Sequence, residues 1–432
     1  MATNRNLGII SVTTLLVSSH YGLGFLLGTA EKSFLDGASG SLYAVSIGFG
    51  MIVLSLLARF YWNRINPIWT LLGDRYGSPV KIGIGIMSWV SLIGIAAAQI
   101  ILVAAIMSIA GFPKLPTMIS IAACFGLLSL LPMERASWLF RGLLLLNILV
   151  LIGALWQLDS TTVYGQVVLD FVPGVGQLAP PEILGIFLST LLLVLIDMKC
   201  QQFVVRSQSA NTAIWGCIFS GLILTLFAFL PTALVTAAQQ SEILPPEVTG
   251  KTIIPYILSW LGGGTQTPLG ILLIASLALP ALGLGSNILR IQTKAALDIT
   301  GLAETPLNRI GLTIINTLLA FSIALRGGEI VELIVCFYAA YLSAVWVPFL
   351  AYLLEQGNKI VFSITSVRFA LGIGGIAALL SLGVSLFRPT AVWFNNPELT
   401  ILMMGLGFGS ITLLGGQIID TLFLLFKPTQ EQ

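Results

Sequence analysis

Twelve apolar runs, each near the roughly 20 residues that a helix needs to cross a bilayer, leave this chain only one kind of solvent. They lie at 8–30, 38–63, 80–111, 115–132, 137–157, 182–205, 210–239, 266–298, 307–326, 329–354, 365–388 and 400–427. A soluble surface carries about 25% charged residues. Here 20 Lys and Arg with 18 Asp and Glu make up 9% of 432 positions, against 56% apolar residues and a mean hydropathy of +0.98. No hydrated surface can be assembled from that set, so the spans face lipid. The first run continues as a Gly-rich helix without an A-x-A cleavage pattern, which argues against a cleavable signal peptide. The longest polar connections, 158–181 and 240–265, are too short for a soluble domain. The expected fold class is an all-α polytopic membrane protein of about twelve transmembrane helices.

Basic residues set the direction of insertion, because cytoplasmic loops carry the excess of Lys and Arg. With the N-terminus inside, the inner side holds Arg5, Arg59, Arg64, Arg75, Lys81, Arg135, Arg141, Lys199, Arg206, Arg290, Lys294, Arg309, Lys359, Arg368 and Lys427, 15 in all. The outer side holds Lys32, Lys114, Lys251, Arg326 and Arg388, which is 5. Both termini are therefore expected in the cytoplasm, in a multi-pass protein of the plasma (inner) membrane. A net charge of +2 is too small and dispersed to attract nucleic acid. The expected partners are lipid and a small-molecule solute.

The scarcity of reactive groups narrows the chemistry. Cys124, Cys200, Cys217 and Cys336 all sit in apolar segments without a CxxC pair, which disfavours disulfides and zinc sites alike. A single histidine, His20, excludes His-rich metal or haem chemistry. A membrane-embedded enzyme would need clustered ionisable groups at membrane depth, such as an HExxH helix or an Asp pair. None is present, so the expectation is a polytopic transporter with no catalytic residue and no resident metal. The alternative is a transporter-derived sensor or a structural membrane subunit without transport activity. That the sequence ends at Gln432 with no appended domain speaks against the sensor.

Three segments read as helices adapted for function. The first span holds Ser18-Ser19-His20-Tyr21-Gly22-Leu23-Gly24 and then Gly28, where small residues permit either unwinding into a protein-lined cavity or close packing. The sixth ends in Leu195-Ile196-Asp197-Met198-Lys199-Cys200-Gln201-Gln202. A carboxylate in a span is costly unless paired or functional. Two residues apart on one helix, Asp197 and Lys199 would not face each other, so each must find another partner or reach the interface. The eighth reads Ala278-Leu279-Pro280-Ala281-Leu282-Gly283-Leu284-Gly285-Ser286-Asn287, in which Pro280 removes a backbone hydrogen bond. Interruptions are expected near Gly22–Gly24 and Leu192–Asp197, facing each other at the midplane, with a discontinuous backbone in the eighth span as well.

Several of these residues carry a resemblance. Gly24, Gly28, Phe34, Leu35 and Gly37, followed by Thr70, Arg75, Tyr76 and Gly77, resemble the Gly-rich run and the R-[FY]-G loop of the sodium/solute symporter family, in its proline-transporting branch. Asp197 to Gly216, leading into Phe229-Leu230-Pro231, is similar to that family's D-Q-x-x-x-Q-R pattern and L-P helix. Ala295-Ala296-Leu297-Asp298-Ile299 and Val347-Pro348-Phe349 match the ends of its eighth and tenth core helices. The resemblance implies a LeuT-like five-plus-five inverted repeat with two C-terminal helices. The repeats would be 1–157 and 182–354, joined by the outer loop 158–181 and followed by two spans in 355–432, without the extra N-terminal helix of many members. The sidedness agrees, since the first span starts inside and the sixth outside.

The departures from the family bear on coupling. Its sodium-using members ligate the ion with first-helix carbonyls and an S-[ST] pair on the eighth. That pair falls here on Leu282-Gly283, which offers no side-chain oxygen, and sodium is a hard cation that prefers several oxygens. The acid of the first helix falls on His20, and the Q-R pair on Gln202-Phe203. No organic cofactor is expected, and Na⁺ is the one ion the resemblance admits. Three mechanisms stay open: sodium through Ser18, Ser19, Ser286 or Asn287, protons through His20 or Asp197, and facilitated diffusion. Gly22, Gly24, Asp197 and Gln202 are the candidate substrate-binding residues, and the scarcity of charge favours a small neutral or zwitterionic solute.

Overall fold

The computed structural model describes residues 5–64, 66–131, 133–158, 160–245, 247–248, 250–327, 330–357 and 360–426. Of the basic residues in the sidedness count, Lys359 and Lys427 lie outside the described residues, as do the side chains of Arg135, Arg141 and Lys251. The described chain is helical throughout. Its helices are α1 (Ile9–His20), α2 (Thr29–Asp36), α3 (Leu42–Asn63), α4 (Ile68–Tyr76), α5 (Ser78–Ile109), α6 (Lys114–Ser129), α7 (Met133–Gln157), α8 (Thr161–Val175) and α9 (Pro180–Ile196). They continue as α10 (Met198–Val205), α11 (Ala210–Gln240), α12 (Ile253–Leu261), α13 (Pro268–Thr300), α14 (Pro306–Arg326), α15 (Ile330–Gln356), α16 (Ile364–Phe387) and α17 (Pro397–Phe426).

The apolar runs of the sequence each fall on one of these helices or on a consecutive pair. By length and composition, nine helical runs among the described residues can cross a membrane, or ten with the bent pair α7–α8. The remaining two are α1, which stops after 12 residues, and α6, which has 16. The molecule is a polytopic all-helical membrane protein.

Lipid as solvent inverts the usual pattern of a helix. On α14, Ile310, Ile314, Leu318 and Leu325 point outward, whereas Thr313, Asn316, Ala320 and Ala324 are buried. The buried polar groups are satisfied by one another: Trp89 Nε1 donates to Asn316 Oδ1 at 2.8 Å, and Asn316 Nδ2 donates to Thr293 Oγ1 at 3.2 Å. With apolar tails outside, interhelical hydrogen bonds and small-residue contacts take over the work of association.

The two interrupted spans run antiparallel. At one end, Leu7 N–H donates to Arg206 O at 3.1 Å and Gln208 N–H donates to Leu7 O at 3.0 Å, which ties the start of α1 to the end of α10. At the opposite end, Lys32 on α2 lies 3.7 Å from Glu182 on α9. This is the sense that an inverted repeat requires of its first and sixth spans.

One sequence expectation needs correction. The eighth span is not discontinuous: α13 runs unbroken from Pro268 to Thr300 through Pro280, Gly283 and Gly285. A proline deletes one backbone hydrogen bond, a loss that surrounding helices can accommodate. Gly285 serves packing, since a Cβ there would stand 2.4 Å from the Phe125 ring on α6.

A tight helix crossing joins α3 to α11. A Cβ on Gly221 would lie 2.6 Å from Gly48 O and 2.9 Å from Ile52 N, so backbone meets backbone there. Gly221→Ala should destabilise the protein by about 1–3 kcal/mol through overpacking. Gly311→Ala, with nothing within 4 Å of its added methyl, should not. Thermal unfolding of both variants in the same detergent checks this.

Candidate functional site

The break in the first span follows His20. Tyr21 leaves helical geometry at φ −75 and ψ 76, Gly22 N–H turns back to His20 O at 2.9 Å, and a wide turn over Gly24–Gly28 restarts the helix. Both glycines sit against side-chain tips of neighbouring helices. A Cβ on Gly22 would meet Leu284 Cδ2 at 2.4 Å, and one on Gly24 would meet Ile334 Cδ1 at 2.5 Å.

The sixth span breaks at Asp197, whose φ of −71 and ψ of 122 are extended. Its side chain caps the restarted helix by accepting Lys199 N–H at 2.8 Å, as an N-cap aspartate does. Carbonyls near the end of α9 are met by side chains from other helices. Tyr61 OH on α3 donates to Leu195 O at 2.6 Å, Tyr341 OH on α15 to Ile196 O at 3.2 Å, and Trp346 Nε1 to Leu192 O at 3.1 Å. A buried carbonyl without a donor is costly, and these three residues supply donors at the break.

This geometry overturns the reading of Asp197 and Lys199 as unable to meet. That argument assumed one continuous helix. Because Asp197 stands outside it as the cap, its Oδ2 lies 3.2 Å from Lys199 Nζ. The same oxygen lies 3.5 Å from His20 Nε2 on the other interrupted span. His20 Nδ1 is 2.8 Å from Ser19 Oγ, and Cys200 Sγ is 3.8 Å from Nε2. His20, Asp197 and Lys199 are 7%, 6% and 2% exposed, so a His–Asp–Lys centre is buried between the two breaks. Lys199 also faces the Tyr338 ring at 5.8 Å.

Two narrow cavities of about 10 and 20 Å³ flank the centre, room for roughly one water each. Ser88, Ser91 and Tyr341 line one; Gly22, Gly24, Tyr43 and Gln99 line the other; Ile95, Lys199 and Tyr338 border both. Ligand atoms of His20, Asp197 and Cys200 lie within 4.8 Å of one another, a nitrogen, oxygen and sulfur set of the kind that transition metals use. The Lys199 ammonium on the same carboxylate opposes a divalent ion there.

The other sequence candidates fall around this centre unevenly. Ser18 Oγ donates to Leu15 O at 2.9 Å and Ser19 Oγ to Leu16 O at 2.8 Å, both back along α1. Ser286 is buried on α13 and donates to Gly283 O at 3.1 Å, with Asn287 half-buried beside it. Gln202 is half-buried on α10, outside the lining of both cavities, and its Nε2 has no hydrogen-bond partner. Sequence reasoning missed Gln99, Tyr43, Tyr61, Tyr338 and Tyr341. Gln99 left a signal: it is a lone amide in a long apolar stretch of the third span, and its buried Oε1 is without a hydrogen-bond partner.

A second polar network closes the end of the bundle that holds the start of α1. Arg75 on α4 grips Glu355 on α15 through Nε at 2.7 Å, Glu355 also accepts Phe362 N–H at 3.0 Å, and Arg368 Nε donates to Tyr76 O at 2.8 Å.

Comparison with solved structures places this architecture. The chain is similar to a Na⁺-coupled sialic acid symporter in a substrate-bound outward-open state, at 14% identity over 99% of this chain and 92% of that one, with a TM-score of 0.67. It is similar to Mhp1, a nucleobase-cation-symport-1 family transporter in a closed conformation with bromovinylhydantoin bound, at 15% identity over 98% and 95%, TM-score 0.61. It is also similar to a manganese transporter of Eremococcus coleocola, at 14% identity over 97% and 98%, TM-score 0.57. No family model and no curated protein matches the chain by sequence. At such identities the shared property is the fold, and the fold is the LeuT-like arrangement of these transporters.

Removing one donor from the sixth-span break should be felt directly. Tyr61→Phe leaves Leu195 O without its side-chain donor and should cost about 1–3 kcal/mol. Thermal unfolding in detergent checks this, with Tyr164→Phe, whose hydroxyl bonds Leu226 O in an exposed setting, as the milder control.

Proposed function

We propose that this chain is a secondary active transporter, a divergent relative of the sodium/solute symporters, that moves a small neutral or zwitterionic solute across the membrane by alternating access. What supports this reading is geometric. Two antiparallel spans are both interrupted within the bundle, and the interruptions meet at a buried His20–Asp197–Lys199 centre. Broken helices at membrane depth persist only where they are buried in protein or line a cavity, and in transporters they mark the substrate site. Named neighbours with the same fold carry sialic acid with Na⁺, a hydantoin and manganese.

On this reading 1–157 and 182–354 are the two inverted repeats, both termini are cytoplasmic, and the Arg75–Glu355 grip closes the inner end. The solute enters the space between Gly22, Gly24, Tyr338 and Lys199 as the halves part. Counterflow in proteoliposomes across a panel of small neutral and zwitterionic solutes should give exchange for at least one of them. Gly24→Val, whose side chain would project against Ile334, should reduce that exchange at least tenfold while the protein still inserts. If no solute exchanges, the sensor or structural-subunit reading takes its place.

The contact between His20 Nε2 and Asp197 Oδ2 favours protons over sodium as the coupling ion. An imidazole beside a carboxylate is a group that can exchange a proton, and the Lys199 ammonium on the same carboxylate works against its protonation. His20→Gln should then abolish accumulation driven by a pH gradient while counterflow survives. Uptake across a pH series in both proteins, with sodium present and replaced, decides the matter, and an unchanged profile would end the proton reading.

A further inference from the structure

We propose that Asp197 and Tyr338, beside His20 of the first span, form a primary-ammonium site that this chain fills with its own Lys199, so that the cation at the sixth-span break is covalently attached. The role in transport rests on the reading above, whereas the site itself can be tested without any solute.

Asp197 Oδ2 receives two partners from different directions, Lys199 Nζ at 3.2 Å and His20 Nε2 at 3.5 Å. Both are charge contacts rather than hydrogen bonds, and Oδ2 has no hydrogen-bond partner among the described residues. On its other side the ammonium faces the Tyr338 ring at 5.8 Å, the arrangement of a cation over an aromatic face. Lys199 borders both cavities, and it is the only basic residue that lines either besides His20.

A mobile cation would need oxygens around the breaks, and several of these already have partners within the chain, although Gln99 Oε1 beside Gly22 does not. Leu192 O, Leu195 O and Ile196 O accept from Trp346, Tyr61 and Tyr341. Ser18 and Ser19 donate back to α1 carbonyls. A free ion on Asp197 would have to share Oδ2 with an ammonium of the same sign. The tethered cation thus neutralises Asp197 in every conformation, since both residues lie at the start of α10 and move together.

Cys200 reports on closure of this site. Its side chain is wholly buried beside His20 Nε2. The purified full-length protein is treated with N-ethylmaleimide, and modification of the Cys200 peptide is followed by mass spectrometry. In the unsubstituted protein, labelling should be slow and identical in sodium chloride and choline chloride; protection that depends on sodium would overturn the proposal without recourse to any variant. Lys199→Met, which keeps bulk but removes charge, should label at least tenfold faster, and labelling at the original rate would show that the ammonium does not hold the site closed. In Lys199→Ala, ethylammonium should slow labelling in proportion to its concentration, while tetraethylammonium and sodium should not. Absence of rescue, or equal rescue by all three, would remove the ammonium site. Failure of every solute to exchange would count against the transporter reading and leave these outcomes standing.

Discussion

A helix interrupted inside a bilayer frees backbone N–H and C=O groups that lipid cannot satisfy, and each unsatisfied group costs several kcal/mol. Much of the centre of this molecule follows from that constraint. Asp197 caps α10 at its first turn, and Tyr61, Tyr341 and Trp346 reach in from α3 and α15 to meet the carbonyls of α9. Supplying those donors from distant helices ties the broken span to the rest of the bundle. The cap in turn brings a carboxylate to a place where it needs positive charge, and Lys199 provides it, with the His20 ring alongside. Backbone satisfaction, electrostatics and the location of the candidate site are therefore one problem with one solution.

The helices were legible in the sequence because a bilayer demands long apolar runs, and such runs hardly depend on tertiary context. The interruptions were partly legible. Gly22 and Gly24 announced a place where side chains could not be accommodated, and Asp197 announced a charge that lipid would not tolerate. Pro280 gave the same kind of signal and meant less, since a proline inside a well-packed helix costs a single hydrogen bond and α13 continues past it. A proline or glycine says what the backbone can do. Whether it does so is decided by the neighbours.

The partners around the break were hidden for a different reason. The spacing rule that separated Asp197 from Lys199 holds on a helix, and the break removes the helix on which it was applied. Tyr61, Tyr338 and Tyr341 look like ordinary membrane aromatics until the carbonyl or cation beside each one is known. Gln99 stood out as an amide among aliphatics, yet nothing in the third span indicates that it would border Gly22 and Gly24.

The contact of Gly48 with Gly221 has a mechanical meaning. In a five-plus-five inverted repeat, the second and seventh spans are counterparts, and here they touch backbone to backbone. Side chains interleaved at that point would act as teeth and resist rotation. Such teeth are present here: Thr225 Oγ1 lies over Gly48 and Ile52 Cγ1 over Gly221, so the crossing locks the two spans together as a single rigid piece.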